Sequence, residues 1–128
     1  MAHFSPRVLV VDDNHDSSDM LVEILRVYGM TAQPAYDGAT ALALSQTFEP
    51  DIMFLDLGMP GMDGYAVAEA LRARSAERPY LVALTAWNDA ASQARVRQAG
   101  FDLHLPKPSS LDCILKVIAD NVPARPEH

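Results

Sequence analysis

The sequence predicts a doubly wound α/β domain, a parallel sheet covered by helices on both faces, and three observations carry that expectation. Short apolar, β-rich runs alternate five times with longer segments of helical pattern. Two of the runs, RVLVV (7–11) and DIMFLD (51–56), are continuously apolar, as in strands buried on both faces, and both stop on an aspartate. The segments between runs are long enough for helical crossovers, which in a parallel sheet are right-handed.

RVLVV is the first strand, ending at Asp12. Asn14, Asp16 and Ser17 then offer helix caps; Leu21, Ile24, Leu25 and Tyr28 follow at helical spacing, and Gly29 stands where the helix ends. MTAQPAY (30–36) is a weaker strand, placed at an edge because Pro34 has no N–H for a central ladder. An alanine-rich helix spans about 39–48, and EPD breaks it before the third strand, 51–56. The loop LGMPGMDG, with Met59 and Met62 read as packing residues, leads to a helix near 65–74, and YLVALTA (80–86) is the fourth strand. NDAASQARVRQAG is a helix carrying only Val96 as a large aliphatic, so it is expected to be thinly anchored. FDLHL (101–105) is the fifth strand. SSLDCILKVIADNV is the last helix, with Leu111, Ile114, Leu115 and Ile118 on one face and Cys113 read as a small buried apolar residue.

The chain has 128 residues, the size of one domain, read as 7–122 with tails at 1–6 and 123–128. No apolar run approaches the ~18 residues of a membrane span. With no signal-like start and a single cysteine, the chain is expected to be cytoplasmic. Net charge is −7 without a basic stripe, which argues against nucleic acid as a direct partner.

Function is read from the carboxyl ends of the strands, where open α/β sheets bind ligands. Asp12 and Asp13 end the first strand, Asp56 the third and Thr85 the fourth, and the fifth runs into Lys107, held between Pro106 and Pro108. One aspartate at a strand end is commonly a helix cap. Three in one crevice repel, by about 3 kcal/mol per pair at ~5 Å and an effective dielectric near 20, so a hard divalent cation is the natural resident. Mg²⁺ suits carboxylates, retained waters and phosphate oxygens, with Mn²⁺ as a substitute; the scattered histidines give no zinc spacing. Carboxylate, cation, hydroxyl and ammonium are the parts of phosphoryl transfer, with Asp56 as nucleophile and Lys107 pairing the phosphate.

VLVVDD, FLDLGMPGMDG, ALTA and GFDLHLPKP, in this order and spacing, resemble the receiver domain of two-component response regulators over about 7–122. The resemblance implies a flavodoxin-like (βα)5 sheet in the order 2-1-3-4-5. It implies Asp56 as phosphoacceptor and Asp13 as a direct Mg²⁺ ligand. Asp12 would act mainly through a metal-bound water, and Gly58 would contribute its backbone carbonyl. Thr85 and Lys107 would bind phosphoryl oxygens, and Pro108 would follow a cis peptide bond. The donor would be a histidine kinase or histidine phosphotransfer domain, and an output protein would read the fourth-helix, fifth-strand and fifth-helix face of a monomer or weak dimer. Slow self-hydrolysis would be the only enzyme-like activity.

Two positions depart from the commonest family pattern. His104 stands where a switching Tyr or Phe is usual, and Trp87 stands two residues after Thr85, as a gate or a partner contact. With Gly58, His104 looks most like receivers of hybrid histidine kinases. The competing readings are a phosphorylation-independent binding module and an aspartate-nucleophile phosphatase. The phosphatase would need a second aspartate where Gly58 stands, and a cap over the site.

Overall fold

The computed structural model describes residues 5–58, 64–75, 79–85, 90–107 and 109–122. Five strands, β1 (Arg7–Val11), β2 (Thr31–Ala35), β3 (Ile52–Asp56), β4 (Tyr80–Thr85) and β5 (Leu103–Pro106), alternate with five helices. The helices are α1 (His15–Val27), α2 (Gly38–Thr47), α3 (Gly64–Arg74), α4 (Ala90–Ala99) and α5 (Leu111–Asn121). The strands form one parallel sheet in the order β2-β1-β3-β4-β5, so Pro34 lies on an edge strand as expected.

Side chains alternate between the two faces of the sheet, and each face is apolar, which is why the central strands read as unbroken hydrophobic runs. Leu9, Val11, Met53, Leu55, Leu81 and Ala83 pack against Ala41 of α2, Val67, Ala68 and Leu71 of α3, and Val96 and Ala99 of α4. Val8, Val10, Ile52, Phe54, Val82 and Leu84 pack against Val22 and Leu25 of α1 and Ile114, Val117 and Ile118 of α5. Every residue of β3 is buried, so the aspartate at its end is carried by a strand enclosed along its whole length.

The helix ends follow the cap chemistry. Asn14, Asp37 and Ser110 accept from the N–H of the residue three further on, opening α1, α2 and α5. At the end of α1, Gly29 (φ +88°) donates to Arg26 O and Met30 to Leu25 O; at the end of α4, Gly100 (φ +104°) donates to Arg97 O and Phe101 to Val96 O. Both are six-residue closures in which glycine supplies the left-handed turn and the next residue packs back on the helix.

Three expectations need correction. On α1, Leu25 is buried as expected and Leu21 packs partly buried beside it, but Ser18 and Val22 complete the buried stripe and Tyr28 caps the helix 58% exposed, because the helix phase is set by β1 and β2 beneath it. The fifth strand is 103–106 rather than 101–105: Phe101 belongs to the α4 closure, and Asp102 turns its carboxylate to Leu81 N–H, 2.8 Å away. Cys113 is half-buried, in the first turn of α5.

Arg72 fastens that corner. Its Nε donates to Gly100 O at 2.8 Å, its Nη2 pairs with Asp102 Oδ2 at 2.7 Å, and its stem lies where any side chain at position 100 would go. Arg72→Ala is expected to cost about 2 kcal/mol, the range for hydrogen bonds to charged groups, seen as a lower urea midpoint at unchanged slope.

Candidate phosphoryl-transfer site

The carboxyl ends of β1, β3, β4 and β5 bring together Asp12, Asp13, Asp56, Thr85 and Lys107. Carboxylate oxygens of Asp12, Asp13 and Asp56 lie within 4.8 Å of one another, Asp13 exposed and the other two buried. Asp56 is 4% exposed, and both its oxygens are engaged: Oδ1 accepts from Gly58 N–H at 2.9 Å, and Oδ2 faces Lys107 Nζ at 3.1 Å. Asp12 Oδ1 accepts from Asn14 N–H at 3.0 Å, so the residue that caps α1 also holds the carboxylate.

The backbone fixes these positions. Asp12 N–H donates to Ala35 O of β2, Leu57 N–H to Leu84 O of β4, and Lys107 N–H to Thr85 O at 2.9 Å, which tie each strand end to its neighbour. Gly64 opens α3 directly under the Asp56–Leu57 turn: a Cβ there would sit 3.1 Å from Asp56 O and 3.2 Å from Leu57 Cα. Thr85 is buried at the end of β4.

Burial, chiefly, holds the Asp12 carboxyl above its ordinary value, and the charge of Asp56 and a hydrogen bond with it push the same way; Asn14 N–H and Lys107 act against them. The pocket thus carries repulsion that the Lys107 ammonium does not relieve, and a divalent cation would relieve it. The donor set is hard oxygen throughout, which suits Mg²⁺.

His104 is half-buried on β5, in register with Ala83, and its Nε2 is buried without a hydrogen-bond partner among the described residues. Trp87 and Pro108, together with Met59 and Met62, lie outside the described residues. What sequence reasoning missed is the second role of Asn14 and the side chains behind it, His15, Asp19 and Tyr36. These meet across two elements, and no local pattern signals the contact.

The sequence model of the response regulator receiver domain matches residues 8–119. The chain belongs to that family. This receiver is 38% identical over 111 residues to the response regulator MprA of Mycobacterium ulcerans, covering 87% of the chain and 47% of the relative. It is 41% identical over 104 residues to the transcriptional regulatory protein PrrA of Mycobacterium leprae, covering 81% and 44%. The receiver therefore spans somewhat under half the length of these relatives. Among solved structures it resembles the Vibrio cholerae chemotaxis protein CheY4, with a TM-score of 0.85, 27% identity, and 91% and 98% of the two chains covered. Membership places it among the signalling switches of two-component phosphorelays rather than among classical enzymes. No helix among the described residues is long and apolar enough to cross a membrane.

Proposed function

We propose that this receiver accepts a phosphoryl group onto a carboxylate oxygen of Asp56 from the phosphohistidine of a histidine kinase or histidine phosphotransfer domain. The P–O bond forms as the P–N bond breaks, and the donor imidazole leaves with the electron pair. The observation that carries the reading is the environment of Asp56: a buried carboxylate at the end of the most buried strand, with an N–H on one oxygen, an ammonium on the other and two further carboxylates beside it.

Mg²⁺ would be held by Asp13 and Asp56 directly, by Asp12 mainly through water and by the Gly58 carbonyl, with Mn²⁺ as a substitute. When bound, the ion supplies charge neutralisation for the incoming phosphoryl oxygens. Thr85 and Lys107 are the donors that take those oxygens once the carboxylate is esterified. Slow self-hydrolysis of the acyl phosphate returns the receiver to its resting state.

The phosphorylated receiver signals through α4, β5 and α5. Of α4, only Val96 and Ala99 are buried, so the helix is lightly held, and His104 beneath it keeps an orphaned nitrogen whose burial costs about 1–3 kcal/mol. Both features make that face easy to rearrange, with His104 as the switching side chain. The decisive experiment is incubation with Mg²⁺ and acetyl phosphate, followed by intact-mass measurement. A phosphoryl adduct is expected in the wild type and not in Asp56→Asn; no adduct from any donor would leave a phosphorylation-independent binding module.

A further inference from the structure

A second group of side chains joins the first turns of α1 to the end of β2 and takes no part in the transfer described above. Tyr36, the residue after β2, donates its hydroxyl to Asp19 Oδ1 in α1, and its ring stacks on His15, centroids 3.8 Å apart and planes 19° apart. The hydrogen bond to Asp19 is the main reason the phenol is held above its ordinary value.

The neighbours of these residues are the ones that place Asp12. Ala35, just before Tyr36, accepts the Asp12 N–H at 3.0 Å, and Asp37, just after it, caps α2. His15 is the first residue of α1 and follows Asn14, whose N–H holds Asp12 Oδ1 at 3.0 Å. Tyr36 therefore joins the segment after β2 to the first turns of α1, and these two segments flank the turn bearing Asp12 and Asp13. That turn needs a restraint: its two carboxylates and Asp56 repel, and Asp13 is exposed.

We propose that Tyr36 is a positioning residue for the divalent-cation site, its ring on His15 and its hydroxyl on Asp19 holding the Asp12–Asn14 turn close to Asp56 against the mutual repulsion of the three carboxylates. The inference rests on the reading of the acidic cluster as a cation site. Phosphate is not required for it, because the restraint acts on the metal ligands before any phosphoryl group arrives. Partners of this outer kind typically tune metal affinity by about 10- to 100-fold, and Tyr36 belongs at the lower end because it acts through two intermediaries.

The test is Mg²⁺ titration calorimetry on the full chain without a phosphodonor. Tyr36→Ala, which removes both contacts, is expected to weaken Mg²⁺ binding about tenfold. Tyr36→Phe, which keeps the stack and loses the hydrogen bond, is expected to weaken it about threefold. Asp19→Ala should match Tyr36→Phe, and Asp19→Asn, which retains an acceptor oxygen, should restore most of the affinity. If Tyr36→Ala fails to fold, Tyr36→Phe and the two Asp19 variants decide alone. Unchanged affinity in Tyr36→Phe and Asp19→Ala, or a wild type that binds no Mg²⁺, overturns the inference. A wild type that shows this gradation yet takes no phosphoryl group upholds it and overturns the phosphoacceptor reading instead.

Discussion

Asp12→Asn is expected to make the metal-free protein more stable while weakening Mg²⁺ binding at least tenfold. The two effects have one cause. Asp12 is buried beside Asp56, and its carboxyl is held above the ordinary 3.8 first by burial and then by that neighbour. Between 3.8 and the raised value, the folded state binds more protons than the unfolded state, so stability contributed by Asp12 falls as pH rises through that window. At neutral pH the fold carries the whole penalty. Two carboxylates ~5 Å apart repel by about 3 kcal/mol at an effective dielectric near 20, and losing the attraction of Asp12 to Lys107 leaves a net gain of about 1–2 kcal/mol for asparagine. Urea unfolding across a pH series measures it: the difference between variant and wild type should be small below pH 3.8 and grow to a plateau above it. Saturating Mg²⁺ should reverse the order, because a ligand that binds only the folded state stabilises it in proportion to its affinity. A metal-free Asp12→Asn that is less stable than wild type would mean that the Asn14 hydrogen bond outweighs the repulsion.

The fold was legible because the central strands are buried on both faces, which writes them as unbroken apolar runs, and because Pro34 confines β2 to an edge. The strand ends were legible for the same reason: an aspartate closing such a run has nowhere to point except the crevice. The phase of α1 was legible only in part: Leu25 of the expected stripe is buried and Leu21 packs partly buried beside it, but Ser18 and Val22 take the places at which spacing alone would as readily put Ile24 and Tyr28, and only the packing against β1 and β2 decides between them. The ion pair between Lys107 and Asp56 was readable as a juxtaposition. That Lys107 engages one oxygen while Gly58 N–H engages the other was not, because it depends on rotamers and on the turn that Gly64 permits beneath. The Tyr36–Asp19 and His15–Tyr36 contacts join positions whose residue types serve equally well on any surface, so sequence gives them no mark.

Lys107→Met is expected to move both quantities opposite to Asp12→Asn: a less stable metal-free protein and tighter Mg²⁺ binding. Among the described residues, three carboxylates and one ammonium leave the pocket with two negative charges, the charge one divalent cation neutralises. Removing the ammonium adds a third and frees Asp56 Oδ2, which Lys107 Nζ now occupies at 3.1 Å. Because the Lys107 side chain is 38% exposed, the loss of the pair should stay near 1–2 kcal/mol rather than the 3–5 kcal/mol of a fully buried one. The gain in Mg²⁺ affinity should be about tenfold, from one cation no longer repelling another in the same pocket. Calorimetry and urea unfolding on the two single variants and the double variant form a closed cycle. Since both side chains contact Asp56, the effects should not be additive, and the double variant should return toward wild-type stability without metal. If Lys107→Met instead weakens Mg²⁺ binding, the ammonium serves to orient the Asp56 carboxylate toward the metal, and the view of Lys107 as a resident cation that the phosphoryl group later recruits would have to be abandoned.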